Sequence, residues 1–179
     1  MIKRIQLKSI SLPKDSGVYF WYIDGKGALK LRINVEDCFQ KDGLYLIYVG
    51  LSKSIKQRLE SHCFGKHRES SIKSGFLSTL RQTLSALLVG NMNHSEEIIN
   101  LFIDNHMSVE YKIREDYIEY EKSLISKYNL PLNLRGNRTH PFYKTLKLKR
   151  KECKINSLKN IYDKKRMVMD GQREKYSIQ

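Results

Sequence analysis

The order of apolar and polar positions names most of the elements of this chain. Val18 to Ile23 is dense in aromatic and β-branched residues and predicts a strand. Asp24-Gly25 follows, a hairpin signal when apolar runs flank it. Beyond it Leu29, Leu31, Ile33 and Val35 alternate with Lys30, Arg32 and Asn34, the period of two expected of a half-buried second strand. A polar loop at Lys41-Asp42-Gly43 leads into another strand from Leu44 to Val49, ended by Gly50.

The period then lengthens. Ser54 with Gln57 fits a capping box, so a helix begins there, with Ile55, Leu59 and Cys63 on its apolar face. Phe76, Leu80, Leu84, Leu87 and Leu88 mark a second helix closed by Gly90, and Ser95 to His106 a third. Val109, Tyr111 and Ile113 alternate as a strand. A fourth helix carries Tyr117, Glu121, Leu124, Ile125 and Tyr128 on one stripe, and Pro131 stops it. From residue 144 the chain turns basic and carries few apolar anchors, among them Leu146, Leu148, Ile155 and Leu158. We expect a main domain over residues 1–143 and an exposed, basic helical extension over 144–179.

Composition narrows the class. With 179 residues, 40% hydrophobic and 29% charged, the chain is long enough for one real core and reads as a soluble globular protein. Its 33 Lys+Arg against 19 Asp+Glu give a formal charge of +14, which favours polyanionic partners and salt-sensitive phosphate contacts. Ribosomal and membrane-surface proteins share such a balance, so charge alone does not separate them from other nucleic-acid binders. Cys38, Cys63 and Cys153 are odd in number and widely spaced, with no disulfide framework. Neither a signal peptide nor a run of membrane-spanning length is evident, and the expectation is a reducing cytoplasm with no membrane partner.

The chemistry gathers around a few positions. Arg58 and His62 lie one helical turn apart and share a face. Beside a scissile phosphate, such an arginine neutralises charge accumulating in the transition state; alone it is an ordinary surface cation. His62 read alone is a satisfied, partly buried histidine. Tyr19 and Tyr48 sit in two predicted strands, where tyrosines usually pack, and a phenol serves as a base only where positive charge lowers its pKa. Glu121 interrupts an apolar stripe, so either it reaches solvent or a cation waits for it. One carboxylate with phosphate oxygens and water makes an acceptable Mg²⁺ shell. Asn133 either shapes the turn after Pro131 or hydrogen-bonds a phosphate oxygen. His62, Cys63 and His67 lack the second ligand pair that a tetrahedral zinc site needs.

Gly17-Val18-Tyr19, Tyr48-Val49-Gly50, Arg58, His62, Glu121 and Asn133, taken together, resemble the GIY-YIG nucleases. Two features depart from the pattern: the long interval between Tyr19 and Tyr48, and Leu51 where excision-repair members carry a lysine. The segment from Leu29 to Val35 fills the interval and resembles the longer first hairpin of some restriction enzymes of the family.

The resemblance implies an α+β fold, a small three-stranded antiparallel sheet with an extended first hairpin flanked by helices. It implies one active site with one Mg²⁺ or Mn²⁺ ion, cutting phosphodiester bonds to leave a 5′-phosphate and a 3′-hydroxyl. By similarity Tyr19 is the favoured general base, with Tyr48 supporting it. Arg58 stabilises the transferring phosphoryl, His62 assists proton transfer, Glu121 holds the metal and Asn133 orients phosphate. Lys53, Lys56, His67, Arg68, Lys147, Arg150, Lys151 and Lys154 are candidate contacts to nucleic acid. The expected substrate is double-stranded DNA, cut by a stand-alone or restriction-type enzyme of bacterial or phage origin acting as a monomer or as a homodimer. The rival expectation is a non-catalytic, basic nucleic-acid-binding protein that keeps the fold.

Overall fold

The computed structural model describes the backbone of residues 1–176 and the side chains of residues 1–166. Residues 177–179, the end of the expected extension, lie outside the described residues.

The sheet is built around β1 (Gly17–Ile23), which pairs antiparallel on one side with β3 (Leu44–Ser52) and on the other with β4 (Met107–Ile113). A two-residue β2 (Gln40–Lys41) extends the other edge of β3, giving the order β2-β3-β1-β4. The sheet therefore has four strands rather than the expected three. Both edges of β1 are occupied, so no strand over residues 29–35 could join it.

That segment is instead α1 (Gly25–Leu31) followed by irregular chain. Asp24 is its N-cap rather than the start of a hairpin turn: its carboxylate accepts the Gly27 N–H at 2.6 Å. A Cβ on Gly27 would clash with Ile23 and with the His106 side chain, so glycine lets the helix lie close to the sheet. Ala28 and Leu31 are buried, while Leu29 is 81% exposed. The alternation persisted in sequence because Leu31 and Ile33 do face inward, one from a helix end and one from extended chain without a strand partner.

The helices then follow the predicted order: α2 (Ile55–Phe64), a short unforeseen α3 (Glu69–Ser74), α4 (Thr79–Leu88), α5 (Glu96–His106), α6 (Tyr117–Lys127) and α7 (Tyr143–Tyr176). Ser54 caps α2 through the Gln57 N–H. Ser78, not the region of Phe76, opens α4, with its hydroxyl accepting the Arg81 N–H. One face of the sheet carries the main core, where Tyr19, Trp21, Ile23 and Ile47 meet Leu59, Leu84 and Ile103. Val18, Leu46 and Val49 meet Leu124, Ile125 and Leu130 on the other face. Because β1 is covered on both faces it reads as an apolar run rather than an alternation.

The basic segment is one helix and it is anchored. Leu146, Cys153, Ser157 and Ile161 are buried, Cys153 and Ile161 in a third cluster with Ile72, Ala86 and Met92. Of the four anchors read from the sequence, Leu146 is buried and Leu158 half-buried, whereas Leu148 and Ile155 are exposed. Ser157 Oγ accepts the Met92 N–H at 2.8 Å and returns its own proton to the Cys153 carbonyl. Among the described residues no helix is long and apolar enough to cross a membrane.

Candidate active site

Sheet register sets the first two side chains. Tyr19 lies opposite Gly50 in the β1–β3 ladder, and a Cβ on Gly50 would run into the Tyr19 hydroxyl. A Cβ on Gly17 would likewise strike the Lys112 carbonyl across the β1–β4 pairing. Both glycines are thus required by close approach. Between Trp21 and Tyr22 the register shifts, leaving Ile47 as the extra residue of β3. Its carbonyl accepts the Leu132 N–H at 3.0 Å. The buried Asn133 then clamps Val49, accepting its N–H at 2.9 Å and donating to its carbonyl at 2.7 Å. The chain after α6 is thereby locked onto the strand that carries Tyr48.

The two phenols are stacked at a tilt, with ring centroids 6.1 Å apart. Burial holds the Tyr19 hydroxyl well above the usual phenol range, the neighbouring Tyr48 adds to this, and Arg58 opposes it. Burial also raises Tyr48, against the opposing charges of Arg58 and Arg150. His62 is fully buried under Tyr19. Its Nε2 is 3.0 Å from the Tyr19 hydroxyl and its Nδ1 hydrogen-bonds the Ser78 hydroxyl. Burial, with Arg58 and Arg81 nearby, pushes His62 down to about 3, so the imidazole is neutral at neutral pH. Either neutral tautomer satisfies both bonds.

Arg81 explains how so polar a helix can be buried. Fully covered, it donates to the His62 and Cys63 carbonyls at 3.2 and 3.4 Å, to Asn100 at 3.0 Å and to His67 Nε2 at 3.3 Å. It ties the carbonyl end of α2 to α4 and α5. His67 Nδ1 meets the Ser95 hydroxyl at 2.8 Å, so both its nitrogens are spent inside the protein and none is left for a phosphate.

Tyr19, Tyr48, Arg58, Glu121, Arg135 and Arg150 line one cavity of about 290 Å³, with Asn133 at its wall. The Arg58 Nε is buried without a hydrogen-bond partner among the described residues. Glu121 is only 7% exposed and forms no hydrogen bond or ion pair among the described residues. Burial raises its pKa, and Arg135 and Lys122 partly offset that. Arg150 reaches the cavity from α7, where its Nη2 donates to Gln82 Oε1 at 2.9 Å. No carboxylate pairs with it among the described residues, and burial lowers its pKa. A cavity lined by three guanidinium groups, two phenols and one carboxylate has the charge to hold an anion, and the carboxylate could hold a cation beside it.

A family model described as GIY-YIG catalytic domain matches residues 17–152. The chain belongs to the GIY-YIG family. No curated protein and no solved structure matches it. Membership makes this a nuclease-type catalytic domain with nucleic acid as its substrate, and the matched span runs into α7 as far as residue 152.

Within this GIY-YIG domain the six residues singled out from the sequence lie together, five lining the cavity and His62 behind Tyr19. Sequence reasoning missed Ser78, Arg81 and Arg135, and took Arg150 for a tail cation. Ser78 and Arg81 carried a signal, an N-cap serine and an arginine within an apolar stripe. Arg135 and Arg150 carried none, since loop and helix cations are common in so basic a chain. Lys53, Arg68, Lys147, Lys151 and Lys154 are exposed, and Lys56 is half-buried 4.0 Å from Glu60.

The donor set fits a divalent ion bound through one carboxylate. No cluster of three or more His, Cys, Asp or Glu side chains exists among the described residues to cage a metal. Glu121 is an unpaired carboxylate on a cavity open to substrate oxygens and water, the mode of binding that suits Mg²⁺.

Proposed function

We propose that this chain is a metal-dependent endonuclease hydrolysing DNA phosphodiester bonds in the single cavity between β1, β3 and α6. One observation carries the reading: Arg58, whose Nε has no partner among the described residues, and Glu121, whose carboxylate forms no hydrogen bond or ion pair among them, line the same cavity as Tyr19 and Tyr48. Each is costly to bury alone, and a phosphodiester bound with a cation would satisfy both. A protein that only gripped nucleic acid would gain nothing from a carboxylate in its positive cleft.

Arg58 and Arg150 would hold the non-bridging oxygens, and Arg135 would approach from the rim. Glu121 would hold Mg²⁺ or Mn²⁺, which when bound supplies Lewis-acid charge at the phosphoryl group. Burial raises the Tyr19 pKa and Arg58 only partly opposes it, so Tyr19 would act as base once further positive charge enters the cavity. It would then take the proton of the attacking water as the water oxygen bonds phosphorus and the bond to the leaving 3′-oxygen breaks. His62, neutral, cannot easily take up a second proton in its buried site. Its role is to fix the Tyr19 hydroxyl, and in the tautomer with hydrogen on Nε2 it donates to the phenolate that Tyr19 must form. Asn133 acts at one remove, holding the Val49 backbone so that Tyr48 and Gly50 keep their places.

One cavity per chain cuts one strand at a time, so a restriction-type double-strand break would require a homodimer or two successive nicks. Incubating supercoiled plasmid with the protein in Mg²⁺, Mn²⁺ or EDTA tests the reading. We expect nicked or linear products with 5′-phosphate ends in either metal and none in EDTA. Binding without cleavage under every metal condition would return the chain to the non-catalytic class.

A further inference from the structure

Arg58 lines two cavities. The second, of about 430 Å³, lies between the helix α2 and the loop joining α3 to α4, and no role above uses it. Gln57, Arg58 and Ser61 form one wall and Phe76 the other. The Gln57 side-chain amide and the Ser61 hydroxyl make no hydrogen bond among the described residues, although the Gln57 backbone N–H donates to the Ser54 hydroxyl. Phe76 is 90% exposed, the barest of the large apolar side chains described.

The loop holds Phe76 out instead of letting it fold in. Gly75, at φ +75°, ends α3 in the left-handed conformation that favours glycine. The Phe76 N–H donates to Ser74 Oγ at 3.3 Å, and Gln82 Nε2 donates to the Leu77 carbonyl at 3.2 Å. Leu77 itself packs on the cluster formed with α7. Gln82 is also the residue that accepts from Arg150, so the loop and the active-site guanidinium share one anchor. The loop thus presents an apolar ring to solvent directly across from Gln57 and Ser61.

We propose that this second cavity receives the nucleobase adjoining the phosphate to be cut, its face stacked on Phe76 and its edge towards Gln57 and Ser61. The proposal rests on the nuclease reading of the neighbouring cavity. Continuity argues for this occupant: the arginine proposed to hold the phosphate also lines the base cavity, as a linked phosphate and base require. The chemistry agrees, since a base has an apolar face and a rim of donors and acceptors. A glutamine amide matches such an edge with a donor and an acceptor together. Because the ring meets the base face-on, the base must leave the duplex stack, and that is cheapest where it is already unpaired. The substrate class is therefore DNA with an unpaired or easily unpaired nucleotide next to the cut.

Oligonucleotides carrying 2-aminopurine at successive positions, bound in EDTA, report stacking by quenching without any cleavage. Wild type and Phe76→Tyr should quench the probe at one position beside the mapped cut. Phe76→Ala and Phe76→Leu should abolish that quenching and weaken binding roughly five- to a hundred-fold. Thermal melts of these variants should match wild type, because the side chain is exposed. Unchanged quenching and affinity in Phe76→Ala would overturn the proposal. So would full affinity in Phe76→Leu, which marks plain apolar contact, or a lost dimer with DNA binding intact, which marks a face for a second copy. A wild type that quenches but never cuts would sink the nuclease reading alone.

Discussion

Among the described residues the Arg58 Nε has no hydrogen-bond partner and the buried Glu121 carboxylate has neither a hydrogen bond nor an ion pair. Arg58→Ala should lower the single-turnover cleavage rate at saturating DNA by two orders of magnitude or so, with a smaller loss of affinity, as a transition-state contact predicts. Arg58→Lys should recover only part, because an ammonium cannot replace a planar, two-pronged donor. A variant that loses affinity and keeps its rate would make Arg58 a simple clamp. His62 gives a prediction in stability. Its pKa falls from about 6.5 unfolded to about 3 folded. Its contribution is therefore fully present above pH 6.5 and lost as pH drops towards 3, where the unfolded chain binds a proton that the native one refuses. Denaturant titrations of wild type and His62→Gln should show the wild type losing more stability across that window, and equal losses would contradict the neutral, buried imidazole. These residues were legible in sequence because their spacing on helices and strand ends is a local property. Asn133 was legible as a position but not as a device: that its amide would mimic a strand neighbour for Val49 depends on the bulge at Ile47, which no local pattern announces.

At the scale of elements, α1 and α7 departed from expectation for different reasons. In α1 a capping aspartate and two glycines mimic a hairpin turn, and Leu31 and Ile33 sustain an alternation across a helix end. Only the pairing of both edges of β1 excludes the strand, and pairing is a long-range fact. In α7 the buried positions are a leucine, a cysteine, a serine and an isoleucine, too mixed to read as a face. Anchored there, the helix delivers Arg150 to the cavity while Lys147, Lys151 and Lys154 remain outside. The two groups should separate on substitution. Arg150→Ala should slow the chemical step at saturating DNA roughly ten-fold or more, and Gln82→Ala should do so more mildly by freeing the side chain. Reversing Lys147, Lys151 and Lys154 to glutamate should leave that rate nearly unchanged. If the rate follows the lysines and ignores Arg150, the helix grips DNA and takes no part in the site.

Over the whole molecule, the formal charge of +14 supplies reach and the cavity supplies selectivity. Each phosphate met by the exposed lysines should add about 0.9 to the slope of log affinity against log salt. The triple lysine reversal should therefore flatten that slope, and an unchanged slope would place the DNA on another face. The proposed metal-dependent cleavage rests on the one carboxylate that lines this basic cavity. Glu121→Gln keeps the shape of the side chain and removes only its charge. The most direct measurement is single-turnover cleavage of an end-labelled duplex by wild type and Glu121→Gln in Mg²⁺, with affinity taken separately in EDTA. Cleavage should fall at least a hundred-fold in Glu121→Gln, while binding stays equal or tightens slightly. Wild-type turnover by Glu121→Gln, or no turnover by either protein, would contradict the proposal.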